Sequence, residues 1–303
     1  MTTNIYHRQV ELLMKILPHI FLDTEFALRG GTAINFFYRN MPRYSVDIDL
    51  TYTKIYPRNE TLTAINDSFL DISRRIKNNI KTVNIKEYKV GGNLITKLYI
   101  KEDDVEIKIE TSTTIRGAIY KCEERPLCDK AVEVFGRFTS VKVLSFAETF
   151  GSKLCAALDR QHPRDIFDAM LLLKNEGITE QVRKAFIVYL ISHNRPMAEL
   201  LAPNLSDMQL VFDNEFSGMV PDVKYSELVE YRKIIVKEIN EKLTSKEKEF
   251  LISFKSGAPV WELLDVDGVE ELPGVKWKLE NINKMDKVKH KKALAKLGKA
   301  LKL

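Results

Sequence analysis

The pattern of apolar and polar positions changes near residue 145. Before that point, short alternating or continuous apolar segments predict strands separated by amphipathic helices. The predicted strands are 26–28, 46–52, 83–90, 94–101, 105–111 and 139–144. The predicted helices of this part are 6–20, 32–39 and 59–80. Beyond it the spacing is helical, and the predicted helices are 145–159, 163–174, 179–192, 225–243, 245–256 and 285–301.

This change of pattern predicts an α+β protein with two domains. Residues 1–145 are expected to form a domain that combines helices with a mixed sheet, in which the closely spaced strands suggest antiparallel hairpins. Residues 146–303 are expected to form a helical domain. A length of 303 residues suggests two domains as well, with one large domain as the other option.

The composition is that of a globular protein, with 45% hydrophobic and 29% charged residues. The longest apolar run, 185–191, is far shorter than the roughly 20 residues that span a bilayer, so no membrane association is expected. Residues 1–9 have no apolar segment typical of a signal peptide. The three cysteines fit neither a disulfide framework nor a zinc site, and we expect a cytoplasmic protein.

The net charge of +5 is unevenly distributed. Residues 274–303 contain ten lysines and no arginine against Glu280 and Asp286, a surplus of eight positive charges, so the preceding residues carry a net charge of −3. Lysines on the predicted helix 285–301 suit non-specific contact with phosphates. A solvated helix face explains them equally well.

Two aspartates, Asp47 and Asp49, lie two residues apart on a predicted strand, so both carboxylates point to the same face. Adjacent carboxylates repel each other, and a divalent cation such as Mg²⁺ or Mn²⁺ removes that penalty. The short pattern alone also suits a solvated edge strand. Gly30 and Gly31 precede a predicted helix, where backbone amides can bind an anion, although an ordinary strand-to-helix turn has the same sequence.

The strand 105–111 places a second charged group on one face. Glu106, Lys108 and Glu110 alternate with Val105, Ile107 and Ile109. Glu110 is a candidate third metal ligand and Lys108 a candidate phosphate partner. A half-exposed strand with a salt-bridged face is the other interpretation.

These motifs together resemble the DNA polymerase β superfamily of nucleotidyltransferases, and more narrowly the AbiEii/AbiGii toxins of bacterial abortive-infection and toxin–antitoxin systems. The residues that match the first family motif are Gly30, Gly31, Thr32, Ala33, Arg43, Ser45, Asp47, Ile48, Asp49 and Leu50. Lys108 and Glu110 match the second motif. The third is matched by Lys153, Arg160, Arg164, Asp165 and Asp168, and the resemblance continues over 257–279.

The resemblance implies a polymerase β-like domain followed by a helical domain. It implies a metal-dependent transfer of NMP from an NTP to an acceptor hydroxyl, with tRNA as the preferred acceptor, by a phage-defence toxin that has a cognate antitoxin. Asp47, Asp49 and Glu110 would bind Mg²⁺ or Mn²⁺. Together with Lys153 they would be the catalytic residues. The implied nucleotide-binding residues are Gly30, Gly31, Thr32, Arg43, Ser45, Lys108, Arg160, Arg164 and Asp168.

Three points stay open at this stage. Either Thr32 or Ser45 can meet the phosphates, since many superfamily members have Gly-Ser where this chain has Gly30-Gly31. Asp165 in a first helical turn suits the helix dipole, and Asp168 suits a buried ion pair as well as catalysis. A nucleotide-binding module without turnover and a DxDxT phosphatase are the rival functions. The phosphatase requires Asp47 on the first strand of a parallel sheet.

Overall fold

A computed structural model describes residues 5–91, 93–220 and 223–303. The chain forms two compact units. One comprises the described residues up to Ser145 together with 217–220, and the other comprises the rest of the chain from Phe146 onward. The short 217–220 segment joins the first unit because the Tyr44 amide donates to the Met219 carbonyl at 2.8 Å.

The first unit is built on a seven-stranded mixed sheet. Its strands are β1 (Phe26–Arg29), β2 (Asp47–Tyr52), β3 (Asn84–Val90), β4 (Leu94–Glu102), β5 (Val105–Thr111), β6 (Glu123–Pro126) and β7 (Ser140–Val143). Their spatial order is β3-β4-β5-β2-β1-β7-β6. The β2–β5 and β1–β7 pairs are parallel, whereas the other neighbours are antiparallel.

The described residues of this unit also form helices. They are α1 (Ile5–Ile16), α2 (Gly30–Ala33), α3 (Arg58–Asn79) and α4 (Asp129–Phe135), with a 3₁₀ turn at Leu17–His19. Helix α1 packs on β5 and α3 on β4, and the core between them includes Phe26, Ile48 and Phe69. Because side chains alternate along a strand, burying Ile48 and Leu50 turns Asp47 and Asp49 to the opposite face.

The second unit is helical throughout its described residues. Its helices are α5 (Phe146–Arg160), α6 (Pro163–Asn175), α7 (Glu180–Ser192), α8 (Met197–Leu201), α9 (Gln209–Glu215), α10 (Tyr225–Lys242), α11 (Ser245–Ser256), α12 (Pro273–Asn283) and α13 (Lys287–Leu301). Single 3₁₀ turns occur in this unit at Trp261–Leu263 and Val269–Glu271, and another, Ser217–Met219, belongs to the first unit. Among the described residues no helix is long and apolar enough to cross a membrane.

The α+β class predicted from the sequence is confirmed, and the elements differ from the prediction in identifiable places. The predicted helix 32–39 begins earlier, at Gly30, and continues as a π-helix over Ile34–Tyr38. Strand β6 and helices α4, α8, α9 and α12 were not predicted. Helix α11 has the predicted bounds, and a capping box between Thr244 and Glu247 explains its start.

Candidate active site

Four charged side chains meet where β2 lies parallel to β5. The register pairs Asp47 with Lys108 and Asp49 with Glu110. Since β2 and β5 are parallel neighbours, residues in register project on the same side of the sheet. The sequence-predicted Asp47, Asp49, Lys108 and Glu110 are therefore brought together, although the paired positions are 61 residues apart in the chain.

The strands on either side add two cations that sequence reasoning missed. Arg29 on β1 is in register with Asp49, and Lys97 on β4 is in register with Glu110. A row therefore crosses four strands as Arg29, Asp49, Glu110 and Lys97, with the two acids flanked by the two bases. The alternation of Lys97 with apolar residues on a predicted strand was the available signal, but its partner strand could not be identified from spacing alone.

Ion pairs engage Glu110 on two sides. Its carboxylate lies 2.6 Å from Lys108 Nζ and 2.8 Å from Lys97 Nζ. Burial alone would raise the pKa of Glu110, but the two ammonium groups lower it below its usual value. In the described structure Glu110 is thus an ionised partner of two lysines.

The environment of Asp49 has the opposite effect. Burial raises the pKa of the Asp49 carboxyl, and the neighbouring Asp47 and Glu110 carboxylates raise it further, against an opposing contribution from Arg29. A carboxylate whose negative charge is disfavoured by burial and by like charges gains from a bound cation.

The glycine turn lies directly against these acids. Gly30 has a φ of +71°, and a Cβ at this position would be 2.6 Å from Asp49 Oδ2. At Gly31 a Cβ would be 2.8 Å from Ser45 Oγ and 2.9 Å from an Arg43 guanidinium nitrogen. The positive φ of Gly30 favours glycine, and a side chain at either position would have to displace the side chains of Asp49, Ser45 or Arg43.

Thr32 and Ser45 form one hydrogen-bonded unit beneath the glycine turn. The Thr32 hydroxyl is within 3.1 Å of Ser45 Oγ and also contacts the main-chain oxygen of Asp47. Thr32 is fully buried, whereas Arg43 and Ser45 are buried with small exposed remainders. Arg43 donates to the Tyr44 carbonyl at 2.7 Å. These contacts fix the loop that enters β2 against the start of α2.

The donor set fits a divalent cation only in part. Hard carboxylate oxygens suit Mg²⁺ or Mn²⁺, and the charge repulsion around Asp49 favours a cation beside Asp47 and Asp49. Within the described ranges, however, no group of three or more His, Cys, Asp or Glu side chains is arranged to hold a metal. Glu110 is directed to its two lysines instead.

The remaining predicted residues lie in the second unit, where α5 meets α6. Lys153 Nζ lies 2.8 Å from Asp165 and 3.1 Å from Asp168. Arg160 completes the cluster with contacts of 2.5 and 3.1 Å to the Asp165 carboxylate. Asp165 and Asp168 are fully buried and Lys153 is nearly so.

Opposite charges stabilise this buried cluster. Burial alone would raise the pKa of Asp165, but Lys153 and Arg160 hold it well below its ordinary range. Side-chain exposure differs sharply between the two bases, at 7% for Lys153 and 57% for Arg160. Arg160 therefore combines an internal ion pair with a surface accessible to a ligand.

The sequence correctly places Asp165 in the first turn of α6, which begins at Pro163. The N-cap is His162, whose Nδ1 accepts from the Arg164 amide at 3.1 Å. This histidine was not predicted, since histidine is a rare N-cap and gives no signature. Arg164 follows in the same turn and is partly buried.

Comparison with known proteins now gives these clusters a context. The family model described as nucleotidyl transferase AbiEii toxin, type IV TA system, matches residues 11–280. No curated protein sequence matches the chain. Among solved structures it is similar to MenT4, a nucleotidyltransferase toxin from Mycobacterium tuberculosis H37Rv, with a TM-score of 0.61 and 13% identity over 96% of this chain and 93% of that one.

The structural likeness, at such low identity, supports the fold. The family match supports membership of the family as well as the fold, because it spans most of the chain and includes every residue of both clusters. The chain belongs to the AbiEii family of nucleotidyltransferase toxins.

Proposed function

We propose that the protein transfers a nucleoside monophosphate from an NTP to an acceptor hydroxyl. The acceptor oxygen bonds to the α-phosphorus while the bond to the leaving pyrophosphate breaks. The observation that carries the proposal is the register of β2 and β5, which sets Asp47 and Asp49 beside Lys108 and Glu110. Gly30 adds a closely approaching backbone at the same acids.

Asp47 and Asp49 are the proposed ligands of Mg²⁺ or Mn²⁺. A bound divalent ion supplies charge neutralisation at the phosphates and activation of the acceptor oxygen. Glu110 is the proposed third ligand beside the nucleophile. This role requires Glu110 to exchange its contacts with Lys97 and Lys108, and Lys108 released in this way can pair with a phosphate.

The glycine turn is the proposed triphosphate site. Gly30 and Gly31 offer backbone amides, and Ser45 and Arg43 lie against Gly31 within reach of the same space. The Thr32 hydroxyl already contacts Ser45 and the Asp47 backbone, so we assign it to positioning Ser45 and Asp47. Of the two hydroxyls left open by the sequence, Ser45 is then the one proposed to meet the phosphates.

For the second cluster we propose phosphate contact through Arg160 and Arg164. The Arg160 side chain is exposed enough to reach a ligand, and a guanidinium group binds phosphate through two parallel hydrogen bonds. The resemblance implies a catalytic role for Lys153 and a nucleotide-binding role for Asp168. We propose that both act mainly by holding α5 and α6 in place, because the Lys153 ammonium pairs with both Asp165 and Asp168.

The proposed acceptor is RNA, with tRNA preferred, and the proposed biological role is that of a toxin with a cognate antitoxin. The type IV toxin–antitoxin description of the family supports the toxin role. Helix α13 supports an RNA partner, since its exposed lysines suit phosphate contact without base reading.

The decisive experiment supplies each of the four NTPs, labelled at the α-phosphate, with total RNA and Mg²⁺ or Mn²⁺. Label on RNA is the expected result, and Asp49→Ala should abolish it while leaving the melting temperature measured without metal close to wild type. Asp71→Ala is the matched control, because Asp71 is an exposed aspartate of α3 that pairs with Arg74. Transfer retained by Asp49→Ala would contradict the metal-site assignment.

The same assay distinguishes the rival functions. A binding module would retain NTP without transfer, and a phosphatase would release phosphate without labelling an acceptor. The phosphatase is disfavoured because Asp47 lies on the second strand of a mixed sheet, antiparallel to its neighbour β1.

A further inference from the structure

A cavity of about 500 Å³ lies within the second unit, between the start of α8, the end of α11, and helices α12 and α13. This volume is in the range of pockets that bind small molecules. None of the residues proposed for nucleotidyl transfer lines it. Its walls combine cationic and apolar groups in an arrangement that the proposed transferase activity does not use.

Five lysines line the cavity. Lys289, Lys292 and Lys296 follow one another at three- and four-residue spacing, so they share one face of α13, while Lys255 and Lys278 enter from α11 and α12. The one carboxylate among the lining residues that the structure describes is Glu199, which pairs with Lys296 at 2.9 Å. The cavity wall therefore has a substantial excess of positive charge.

Two of these lysines are buried without a counter-ion. Lys255 is 8% exposed, and its ammonium lies 4.0 Å from the Met285 sulfur. Lys278, also 8% exposed, donates to the carbonyls of His193, Asn194 and Arg195 at 2.6, 3.3 and 2.9 Å. Over the described ranges neither ammonium forms an ion pair with a carboxylate. Burying an unpaired charge is costly, so an anion in this cavity would be stabilised.

The electrostatics of the pair support the same conclusion. Burial lowers the pKa of Lys255, and burial together with the neighbouring Lys255 lowers the pKa of Lys278 to about 8. A phosphate held by the α13 lysines would lie in the same cavity as Lys255 and Lys278 and would oppose both effects.

The rest of the lining is apolar and aromatic. Met197, Ile282, Met285 and Leu297 provide an apolar surface, and the Trp277 indole is 41% exposed. An inorganic anion would gain nothing from these groups. A ligand with a phosphate and a flat, weakly polar ring system would use both the lysines and the indole, since bases stack on aromatic side chains.

We propose that this cavity binds a phosphorylated nucleoside, with the phosphate between the lysines of α13 and the base against Trp277. The nucleotide is either free or part of an RNA strand, and both present the same chemistry. Lysine without arginine suits a phosphate held by charge alone, and the other polar side chains of the lining are Asn194, Asn281 and Glu199.

The test compares two double variants of α13 in the Asp49→Ala background, with a chelator present. All four lysines concerned are exposed; Lys289→Ala/Lys292→Ala removes two that line the cavity, whereas Lys287→Ala/Lys291→Ala removes the same charge outside it. Binding of adenosine 5′-monophosphate is measured by calorimetry, and binding of a single-stranded RNA of about six nucleotides by fluorescence anisotropy. Melting temperatures verify folding.

The cavity variant is expected to lose about tenfold or more in affinity for the mononucleotide, while the control changes by less than about twofold. Trp277→Ala should weaken binding by about fivefold or more, because the base then has no indole on which to stack. Tighter binding of the RNA than of the mononucleotide identifies a strand as the source, and the reverse identifies a free nucleotide.

Equal losses in the two double variants would overturn the proposal, because charge alone would then explain binding. The proposal would also be overturned if inorganic phosphate bound as tightly as the mononucleotide and Trp277→Ala left the affinity unchanged. Binding of a polyglutamate peptide without binding of nucleotides would overturn it too. A failure of the transferase proposal leaves these results untouched, since the measurements exclude metal and use the Asp49→Ala chain.

Discussion

Gly30 is the residue at which backbone conformation and the candidate chemistry are most tightly coupled. Its positive φ disfavours any side chain, and its α-carbon faces the Asp49 carboxylate so closely that a methyl group would overlap Oδ2. The end of β1, the left-handed Gly30 and the Asp49 carboxylate therefore lie in direct contact. The sequence indicated an anion-binding turn here, but the contact with Asp49 is visible only in three dimensions.

Gly30→Ala is expected to abolish nucleotidyl transfer and to destabilise the fold. Gly177→Ala is the matched control, because Gly177 has the same φ of +70° and no atom within 4 Å of an added Cβ. The control should lose about 1 kcal/mol of unfolding free energy from backbone strain alone. Denaturant unfolding should show a larger loss for Gly30→Ala, and equal losses would contradict the steric explanation.

Asp165 provides a pH-dependent prediction. Its folded pKa is lowered, so its contribution to stability is fully present above the unfolded value of about 3.9 and is lost progressively as the pH falls from there toward the lower folded pKa. Asp165→Asn should therefore lower the unfolding free energy by about 3 kcal/mol at pH 7, and the difference from wild type should shrink below about pH 4.

Urea unfolding at several pH values measures this difference. Asp159→Asn is the comparison, because Asp159 pairs with Arg195 at a partly exposed site and should cost less than about 1 kcal/mol. If the difference in unfolding free energy between wild type and Asp165→Asn stayed constant down to pH 3, the assigned ion pair of Asp165 would not be the source of the lost stability.

At the scale of elements, the sequence predicts what depends on local periodicity. Strand β5 and helix α11 have the predicted bounds, because alternation and caps are local signals. Strand β6 escapes prediction since it is a polar edge strand that ends in Pro126, and the π-helix at Ile34–Tyr38 has no pattern of its own. The parallel pairing of β2 with β5 is long-range and required the fold.

That pairing makes Lys97 a test of the row across β1, β2, β5 and β4. Lys97→Met removes a cation 2.8 Å from Glu110, so the proposed metal site becomes more negative. Mn²⁺ binding should tighten by about two- to fivefold. Calorimetry on Lys101→Met, four residues along the same strand and exposed, is the control. Unchanged or weaker Mn²⁺ binding in Lys97→Met would count against a metal beside these acids.

At the scale of the whole molecule, positive charge is concentrated in the last 30 residues while the remainder is slightly acidic. From the sequence alone, removing the residues after Met285 is the natural test of RNA binding. The structure argues against that test, because Leu297 and Leu301 on α13 are buried and their removal would expose the core of the second unit. Truncation is expected to lower the melting temperature as well as RNA affinity.

Replacing exposed lysines separates charge from packing. Lys284, Lys287, Lys291 and Lys299 are exposed and lie outside the cavity, so changing all four to Gln should leave the melting temperature near wild type. If the C-terminal residues contact RNA phosphates, a plot of log affinity against log salt should flatten by about 0.7 for each phosphate of a single-stranded RNA that the variant no longer neutralises. An unchanged slope would instead assign these lysines to a solvated helix face, and RNA binding would then depend on the rest of the chain.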